Sequence, residues 1–458
     1  MKTQLSFSEK IGYGLGDMAS SMFWKIFSYY LPFFFSNIYG LRLDQVGLLL
    51  VVTRIFDAVS DPFMGLLADR TQSRWGKYRP YLLWMALPFA LCGVSLFTTP
   101  PLGPTGKLVW AYAAYILMMA AYTGINVPYG AMIGVMTSDS QTKTVLSSFR
   151  MFFAYGGSFL AVLLWEPLCR ALGGYDTPQG WQHAMMVVAG LTTLFFWGCF
   201  ALTRERIPSA GTGSIGQDIK ALFRNGPWWI LVAAALCCNL FNTVRGSTVA
   251  YFFSDIIGPE ARVFGFLFYA GLFLSVGEVS NMAGVALSVP LTARIGKKTA
   301  WLACFLLLTV LSAAFFFIPV SPSGYIGMHV LQVLISILTG VVSPLVWSMY
   351  ADVSDYSEFR NGTASTGLIF SSSTMAQKLG GAFGGAAVMW LLTVFGYDTA
   401  TAGAVQDGSA LLGLRLLMSW IPAAIALLSA GLICLYPLTT HRMAVIETAL
   451  ARQREKIR

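Results

Sequence analysis

Long apolar stretches recur along this chain at the length a lipid bilayer demands. Ile26–Tyr39, Tyr81–Phe97, Leu108–Met136, Ala184–Leu202, Trp228–Phe253, Ala300–Val320 and Leu411–Tyr436 are the clearest. A helix needs about 20 apolar residues to cross the hydrocarbon core, and a backbone in lipid must satisfy its own hydrogen bonds. Dividing the chain at its polar breaks yields about twelve such spans. Of the 458 residues 56% are hydrophobic and 11% charged, against about 25% charged in soluble domains. That balance excludes a soluble globule and predicts an all-α membrane protein. Met1–Lys10 is short and polar and runs on into a full span, so the first helix is expected to act as an uncleaved insertion signal. The seven cysteines fall in or near spans without metal-binding spacing, and read as small apolar residues.

A net charge of +9 would point a soluble protein towards nucleic acid, but its placement here points to a membrane. Basic residues crowd into alternate breaks: Lys2 and Lys10; Arg70, Arg74, Lys77 and Arg79; Lys143; Arg204, Arg206, Lys220 and Arg224; Arg294, Lys297 and Lys298; Arg360; and the tail from Arg442 to Arg458. The intervening breaks hold only Arg42, Lys107, Arg170 and Arg262. The positive-inside rule puts both termini in the cytoplasm and makes the number of spans even. The expected partners are the lipid bilayer and a small molecule, with no nucleic acid, and a monomer is expected.

Three ionisable residues, Arg54, Asp57 and Asp61, sit inside the apolar stretch Val46–Leu67. At about 100° per residue they share one stripe of a helix. A charge at the bilayer centre costs at least about 2.5–3.5 kcal/mol on insertion scales unless it faces a cavity and finds a partner. Two carboxylates one turn apart also repel until a cation or proton arrives. The stripe therefore reads as an ion-coupling site, with a helix-packing charge network as the plainer alternative.

The loop after the second span reads Arg74-Trp-Gly76-Lys77, and the loop after the eighth reads Arg294-Ile-Gly296-Lys297, 220 positions later. The fourth and tenth spans also end alike, in Thr137-Ser-Asp139 and Asp352-Val-Ser-Asp355. Such a repeat predicts two six-helix halves, the pattern of major-facilitator carriers. The expected domains are residues 1–203, a central cytoplasmic loop 204–226, a second half 227–437 and a cytoplasmic tail 438–458.

The run Arg54-Ile-Phe-Asp57-Ala-Val-Ser-Asp61-Pro-Phe-Met-Gly65, followed by Ser73-Arg-Trp-Gly-Lys-Tyr-Arg-Pro80, resembles the signature of the glycoside–pentoside–hexuronide:cation symporters, the melibiose-carrier branch of the major facilitator superfamily. Gly12-Tyr-Gly-Leu-Gly-Asp17, Asn126-Val-Pro-Tyr-Gly130, Asp352-Val-Ser-Asp355-Tyr-Ser-Glu358, Lys378-Leu-Gly-Gly-Ala-Phe-Gly-Gly385 and the tail Tyr436-Pro-Leu-Thr agree in order along the chain. The resemblance implies the major facilitator fold, sugar:cation symport by alternating access, and a bacterial inner-membrane location. Xyloside-type members are the most similar.

By the same resemblance Asp57, Ser60, Asp61 and Thr123 are the cation ligands, with H+ or Na+ as coupling ion and no cofactor. Oxygen ligands suit a hard cation, and a carboxylate pair can instead share a proton. Ser60 stands where the melibiose carrier has an asparagine. Lys378 matches the family's eleventh-helix lysine, a cationic partner for the aspartates and a neighbour of the substrate. The sugar-binding acids of the melibiose carrier are replaced here by Ser21 and Asn126, which argues against melibiose. Asp17, on the same face as Ser21, is a substitute acid, and Tyr122, Asn126 and Arg150 are the expected hydroxyl readers. Arg54 joins the coupling set. Arg74, Lys77, Arg294 and Lys297 face the acidic ends Asp139, Asp352, Asp355 and Glu358 as an expected cytoplasmic gate. Arg245 and Glu278 are expected either to face the cavity or to pair with each other.

Gly14-Leu-Gly16-Asp-Met-Ala19 matches a dinucleotide fingerprint but lies in a membrane helix with no preceding strand, so it carries no such meaning. Nothing resembles an enzyme's catalytic set. Two rival functions remain, a transport-inactive sugar sensor and a lysolipid carrier of the same fold. The set Asp57, Asp61 and Lys378 disfavours the first, and the likeness of the loops to sugar carriers disfavours the second.

Overall fold

A computed structural model describes residues 5–137, 140–206, 223–258, 261–263, 266–361, 366–399 and 406–457. The chain is helical almost throughout. Before residue 207 run α1 (Phe7–Phe33), α2 (Leu43–Arg70), α3 (Arg79–Trp84), α4 (Ala86–Leu96), α5 (Pro104–Met136), α6 (Ser140–Leu172) and α7 (Pro178–Leu202). After residue 222 come α8 (Gly226–Phe252), a two-stranded hairpin β1 (Arg262–Val263) and β2 (Phe266–Leu267), α9 (Ala270–Ile295), α10 (Lys297–Phe315), α11 (Pro322–Asn361), α12 (Thr366–Val394), α13 (Gly408–Met418), α14 (Trp420–Cys434) and α15 (Thr440–Ile457). The short helices α3 and α4 make one pass, and so do α13 and α14. Each half of the chain then crosses six times. Among the described residues eight helices are long and apolar enough to cross a membrane. α1 and α2 are not among them, and they carry Asp17, Lys25, Arg54, Asp57 and Asp61 within their length.

The chain forms two compact units. The first comprises Met1–Gly211 with Ala270–Ser275 and Met389–Asp407, so the first turn of α9 and the end of α12 belong to it. In this unit α1 lies against α6 and α7, and α2 against α5. Ser6 and Glu9 start α1 with a reciprocal capping box. The Gly12-x-Gly14-x-Gly16 series is a packing device, because an added Cβ at these positions would run into Leu202, Phe153 and Tyr129. Trp181 stacks with Phe33 and Phe97 and meets Trp165 and Tyr175 edge-on or tilted, an aromatic core for the same unit. Beside it lies buried Glu166, which accepts the backbone N–H of Gly271 at 2.9 Å and the Tyr30 hydroxyl at 3.3 Å. A carboxylate on the first turn of α9 satisfies an otherwise orphaned donor and suits the helix dipole.

The second unit comprises Thr212–Tyr269, Val276–Val388 and Gly408–Arg458. Trp301, Phe305, Phe241 and Tyr350 centre its core. Gly284 and Gly340 let α9 and α11 cross in backbone contact, with Thr339 donating to Asn281 at 2.9 Å. Gly380 and Gly384 of α12 do the same against α8, at Leu236 and Thr243. Arg245 donates to the Met418 carbonyl at 2.7 Å and to Gln332 at 2.9 Å. It thus serves the carbonyl left open where α13 breaks into α14. The tail is ordered as α15, which buries Met443 and Ile446 in the same core.

The two repeated loops share a backbone feature. Gly76 and Gly296 have φ of +114° and +79°, a region that favours glycine. The turn at Gly76 aims three successive N–H groups, those of Lys77, Tyr78 and Arg79, at the Glu205 carboxylate, at 2.8, 2.7 and 2.7 Å. Arg79 reaches the Phe200 carbonyl at 2.6 Å, and Arg206 reaches Glu9 at 2.6 Å. The segment after α7 therefore ties the loop before α3 to the start of α1. Replacing Glu205 by Ala removes the acceptor of three charge-assisted bonds and is expected to lower stability by about 2–3 kcal/mol. Thermal unfolding of the detergent-solubilised protein checks this, and an unchanged midpoint rules out an anchoring role for Glu205.

Candidate functional site

The candidate site is built from the middles of α1, α2, α5 and α6, all in the first unit. On α2 the helical period sets Arg54, Asp57 and Asp61 on one stripe, and α5 closes on them. Asp57 is completely buried, and Asp61 is half-buried. Buried Thr123 of α5 sits between them, its Oγ1 2.9 Å from Asp57 Oδ1 and 3.0 Å from Asp61 Oδ1. A hydroxyl has one proton to donate. It serves one carboxylate, and the second oxygen–oxygen approach becomes favourable when that acid carries a proton or a cation lies between the oxygens. Arg54 offsets charge without closing on it: its Nη1 is 3.8 Å from Asp57 Oδ2. Charge-assisted N–H···O bonds run at about 2.7–2.9 Å. Ser60 turns its hydroxyl back to the Asp57 carbonyl at 3.0 Å, as serines in helices often do.

A second cluster lies on the neighbouring face of α5. Arg150 of α6 holds Asp17 of α1 with two bonds, Nε to Oδ2 at 3.0 Å and Nη2 to Oδ1 at 3.4 Å. The guanidinium also lies over the Tyr129 ring, 5.4 Å from its centre. Tyr129 stacks on Tyr13 and donates to the Tyr13 carbonyl at 2.6 Å. The Ser20 hydroxyl lies 2.7 Å from Asn126 Oδ1, and Asn126 donates to the Tyr122 carbonyl at 3.0 Å. Tyr122 meets Trp24 at 5.5 Å between ring centres. The helical period of α5 explains both clusters, since Tyr122, Asn126 and Tyr129 fall on the side of α1 while Thr123 falls on the side of α2. The result is a polar, aromatic-walled set able to exchange hydrogen bonds with a polyol.

Asp17, Tyr122, Asn126 and Arg150 thus converge, as do Arg54, Asp57, Asp61 and Thr123. Ser20, one position before Ser21, is the serine that meets Asn126. Lys378 lies on α12 in the second unit. Lys297 pairs with Asp352 at 2.7 Å inside that unit. Asp355 and Glu358 end α11, and Arg294 is exposed at the end of α9. Arg74 is exposed and stacks on Trp75, and Lys77 gives its backbone N–H to Glu205. Asp139 lies outside the described residues.

Sequence reasoning passed over Trp24, Glu205 and Glu166. Trp24 carried a signal, because it lies seven residues from Asp17 and so on the same stripe. Glu205 and Glu166 carried none, because an acid at a span end or beside a proline says nothing about the backbone it will meet.

The chain as a whole is similar to known proteins. The chain is 37% identical to the inner membrane symporter YicJ of Escherichia coli (strain K12), over 100% of this chain and 97% of that protein. It is 33% identical to the isoprimeverose transporter of Lactiplantibacillus pentosus, over 93% of this chain and 89% of that protein. The crystal structure of the nucleoside transporter NupG matches the fold with a TM-score of 0.66 at 13% identity, covering 93% of this chain and 98% of that one. The family model described as MFS/sugar transport protein matches residues 12–440. With both halves of its fold inside that match, the chain belongs to the MFS/sugar transport protein family.

Proposed function

We propose that this multi-pass membrane protein carries a neutral glycoside or pentoside together with a proton or sodium ion, by alternating access of its two halves. The observation that carries this reading is Thr123, whose one hydroxyl lies within hydrogen-bonding distance of both Asp57 and Asp61, one residue from Tyr122 of the polyol-binding set. A carboxylate pair that shares one proton donor in an apolar setting is ready for a single positive charge. Binding that charge beside the sugar groups is what links the two cargoes. Ser60 supports the ion through the backbone of Asp57, and Lys378 is the cation that neutralises the aspartates when the carrier is empty. Arg74, Lys77, Arg294 and Lys297, with Asp139, Asp352, Asp355 and Glu358, form a cytoplasmic gate. Exposed ion pairs are worth about 0–1 kcal/mol each, so a gate of this kind relies on several together. The basic loops and the likeness to an inner membrane symporter favour the inner membrane, with both termini inside.

Arg150 bears on the choice of substrate. Its guanidinium already holds Asp17, so the pair offers donors and acceptors without net charge. That suits the hydroxyls of a neutral sugar and disfavours an anionic hexuronide, whose carboxylate would have to displace Asp17. A site that bonds one hydroxyl pattern rejects isomers that leave its polar groups unpaired. With the isoprimeverose transporter among the relatives, xylosides are the first substrates to try.

Asp61→Asn is expected to abolish concentrative uptake while leaving sugar counterflow, which needs no ion gradient. Accumulation at the wild-type level in vesicles refutes the coupling role. Arg150→Ala is expected to weaken sugar binding by about 1.5–3 kcal/mol, the range for a hydrogen bond to a charged group. Calorimetry showing unchanged affinity removes Arg150 from the site. Uptake of xylobiose, methyl-xyloside, a glucuronide and melibiose, each with and without a sodium or proton gradient, tests substrate and ion together. Strong melibiose transport without pentoside transport contradicts the substrate class.

A further inference from the structure

The Arg150–Asp17 pair is open to an incoming molecule, yet it rests on a side chain that no sugar can reach. Arg150 keeps 40% of its side chain exposed and Asp17 keeps 16%. Tyr129 of α5, which is 1% exposed, lies under the guanidinium, with 5.4 Å from its ring centre to Arg150 Cζ. Three features fix that ring. Its hydroxyl donates to the Tyr13 carbonyl at 2.6 Å, and its face stacks on Tyr13 at 4.9 Å between centres. Gly16 makes room for its edge, where an added Cβ would collide with the ring. Tyr129 is therefore held by α1 as well as by its own helix. Arg150 is different in kind, a long side chain with many rotamers to lose. Asp17 grips it unevenly, at 3.0 Å to Nε and 3.4 Å to Nη2, whereas charge-assisted bonds of this type run at about 2.7–2.9 Å. A carboxylate that grips one edge of a planar cation leaves the tilt of the plane open. The ring beneath, which attracts the cation through its face, supplies the second constraint.

We infer that Tyr129 is a positioning residue for sugar recognition: it holds the Arg150 guanidinium beside Asp17, at the tilt from which the pair meets the sugar hydroxyls. This inference rests on the sugar-binding reading of that pair. Tyr129 does not touch the sugar, and it acts through Arg150. The arrangement joins three helices. α5 carries the ring, α6 carries the cation, and α1 carries both the acceptor of the ring hydroxyl and the carboxylate. Tyr13 and Asp17 stand one turn apart on α1, so the anchor of the ring and the partner of the guanidinium share a face. A donor fixed before the sugar arrives has less freedom to lose on binding, which is how a side chain outside the contact adds to affinity.

The test measures sugar binding to the full-length carrier by calorimetry, with methyl-xyloside or xylobiose as the probe. Tyr129→Leu, which removes the ring face, is expected to raise the Kd about two- to fivefold, the factor corresponding to a cation–π contact at a partly exposed cation. Tyr129→Phe keeps the face and loses only the bond to the Tyr13 carbonyl, so its effect is expected to be smaller. In an Arg150→Gln background there is no guanidinium to hold. Tyr129→Leu is then expected to change the Kd little further, and the double-mutant cycle to be non-additive. The same factor in both backgrounds, or a loss in Tyr129→Phe as large as in Tyr129→Leu, means that the ring merely packs and overturns the inference alone. Unchanged affinity in Arg150→Gln removes the pair from the sugar site, and a wild-type carrier that binds neither probe nor any other sugar tried overturns the sugar reading itself. Either result takes this inference with it. Tyr129→Met fills the slot of the ring with a flexible apolar side chain, so it gives the same readout where Tyr129→Leu does not fold.

Discussion

Charge held inside an apolar helix is the constraint around which the first unit is arranged. α2 must carry Arg54, Asp57 and Asp61 across a medium that penalises each of them, and no one partner removes that penalty. The structure divides the task. α5 supplies one hydroxyl to both acids, and Arg54 lowers the net charge without occupying their oxygens. α1 lays the Trp24 ring against the guanidinium. Each partner is weaker than a closed ion pair would be.

The same economy of polar groups runs through the rest of the molecule. Asp17 and Arg150 cancel each other and remain able to exchange hydrogen bonds. Arg245 serves an open carbonyl at the break between α13 and α14, and Lys298 donates to the carbonyls of Cys434 and Tyr436 at the end of α14. Glu205 gathers three N–H groups, and Glu166 takes one from the first turn of α9. Where a membrane protein bends or ends a helix, backbone groups appear that lipid cannot satisfy, and charged side chains are drawn to them. Helix contacts follow a different rule. They rest on glycines such as Gly16, Gly284 and Gly384, where close approach replaces the hydrophobic drive that lipid does not provide.

Much of this was legible in the chain. Apolar runs and alternating basic loops announced a polytopic helical protein, because span length and loop charge are local properties. The stripe of Arg54, Asp57 and Asp61 followed from the helical period alone. The repeated Arg-x-Gly-Lys loop was legible too, and both glycines share a left-handed backbone. The candidate site was legible as a set of residue types, with Asp17, Asn126, Thr123 and Arg150 all found together. Their partners were not legible. Ser20 rather than Ser21 meets Asn126, because that choice turns on a rotation of α1 of about 100°. Ser60 spends its hydroxyl on its own helix, which a motif position does not reveal. Lys297 was expected to face a set of four acids, and the packing of α10 on α11 picks out Asp352 among them.

The sequence by itself therefore determined where the chain crosses the membrane, which helices carry charge and which face of each carries it. These follow from hydropathy and from a period of 3.6 residues, both of which act over a few neighbours. Only the tertiary structure decided which of these groups meet. The Arg54 guanidinium, paired with Asp57, lies over the Trp24 ring at 4.2 Å from its centre. That distance is set by how α1, α2 and α5 pack, and no segment of the chain encodes it alone.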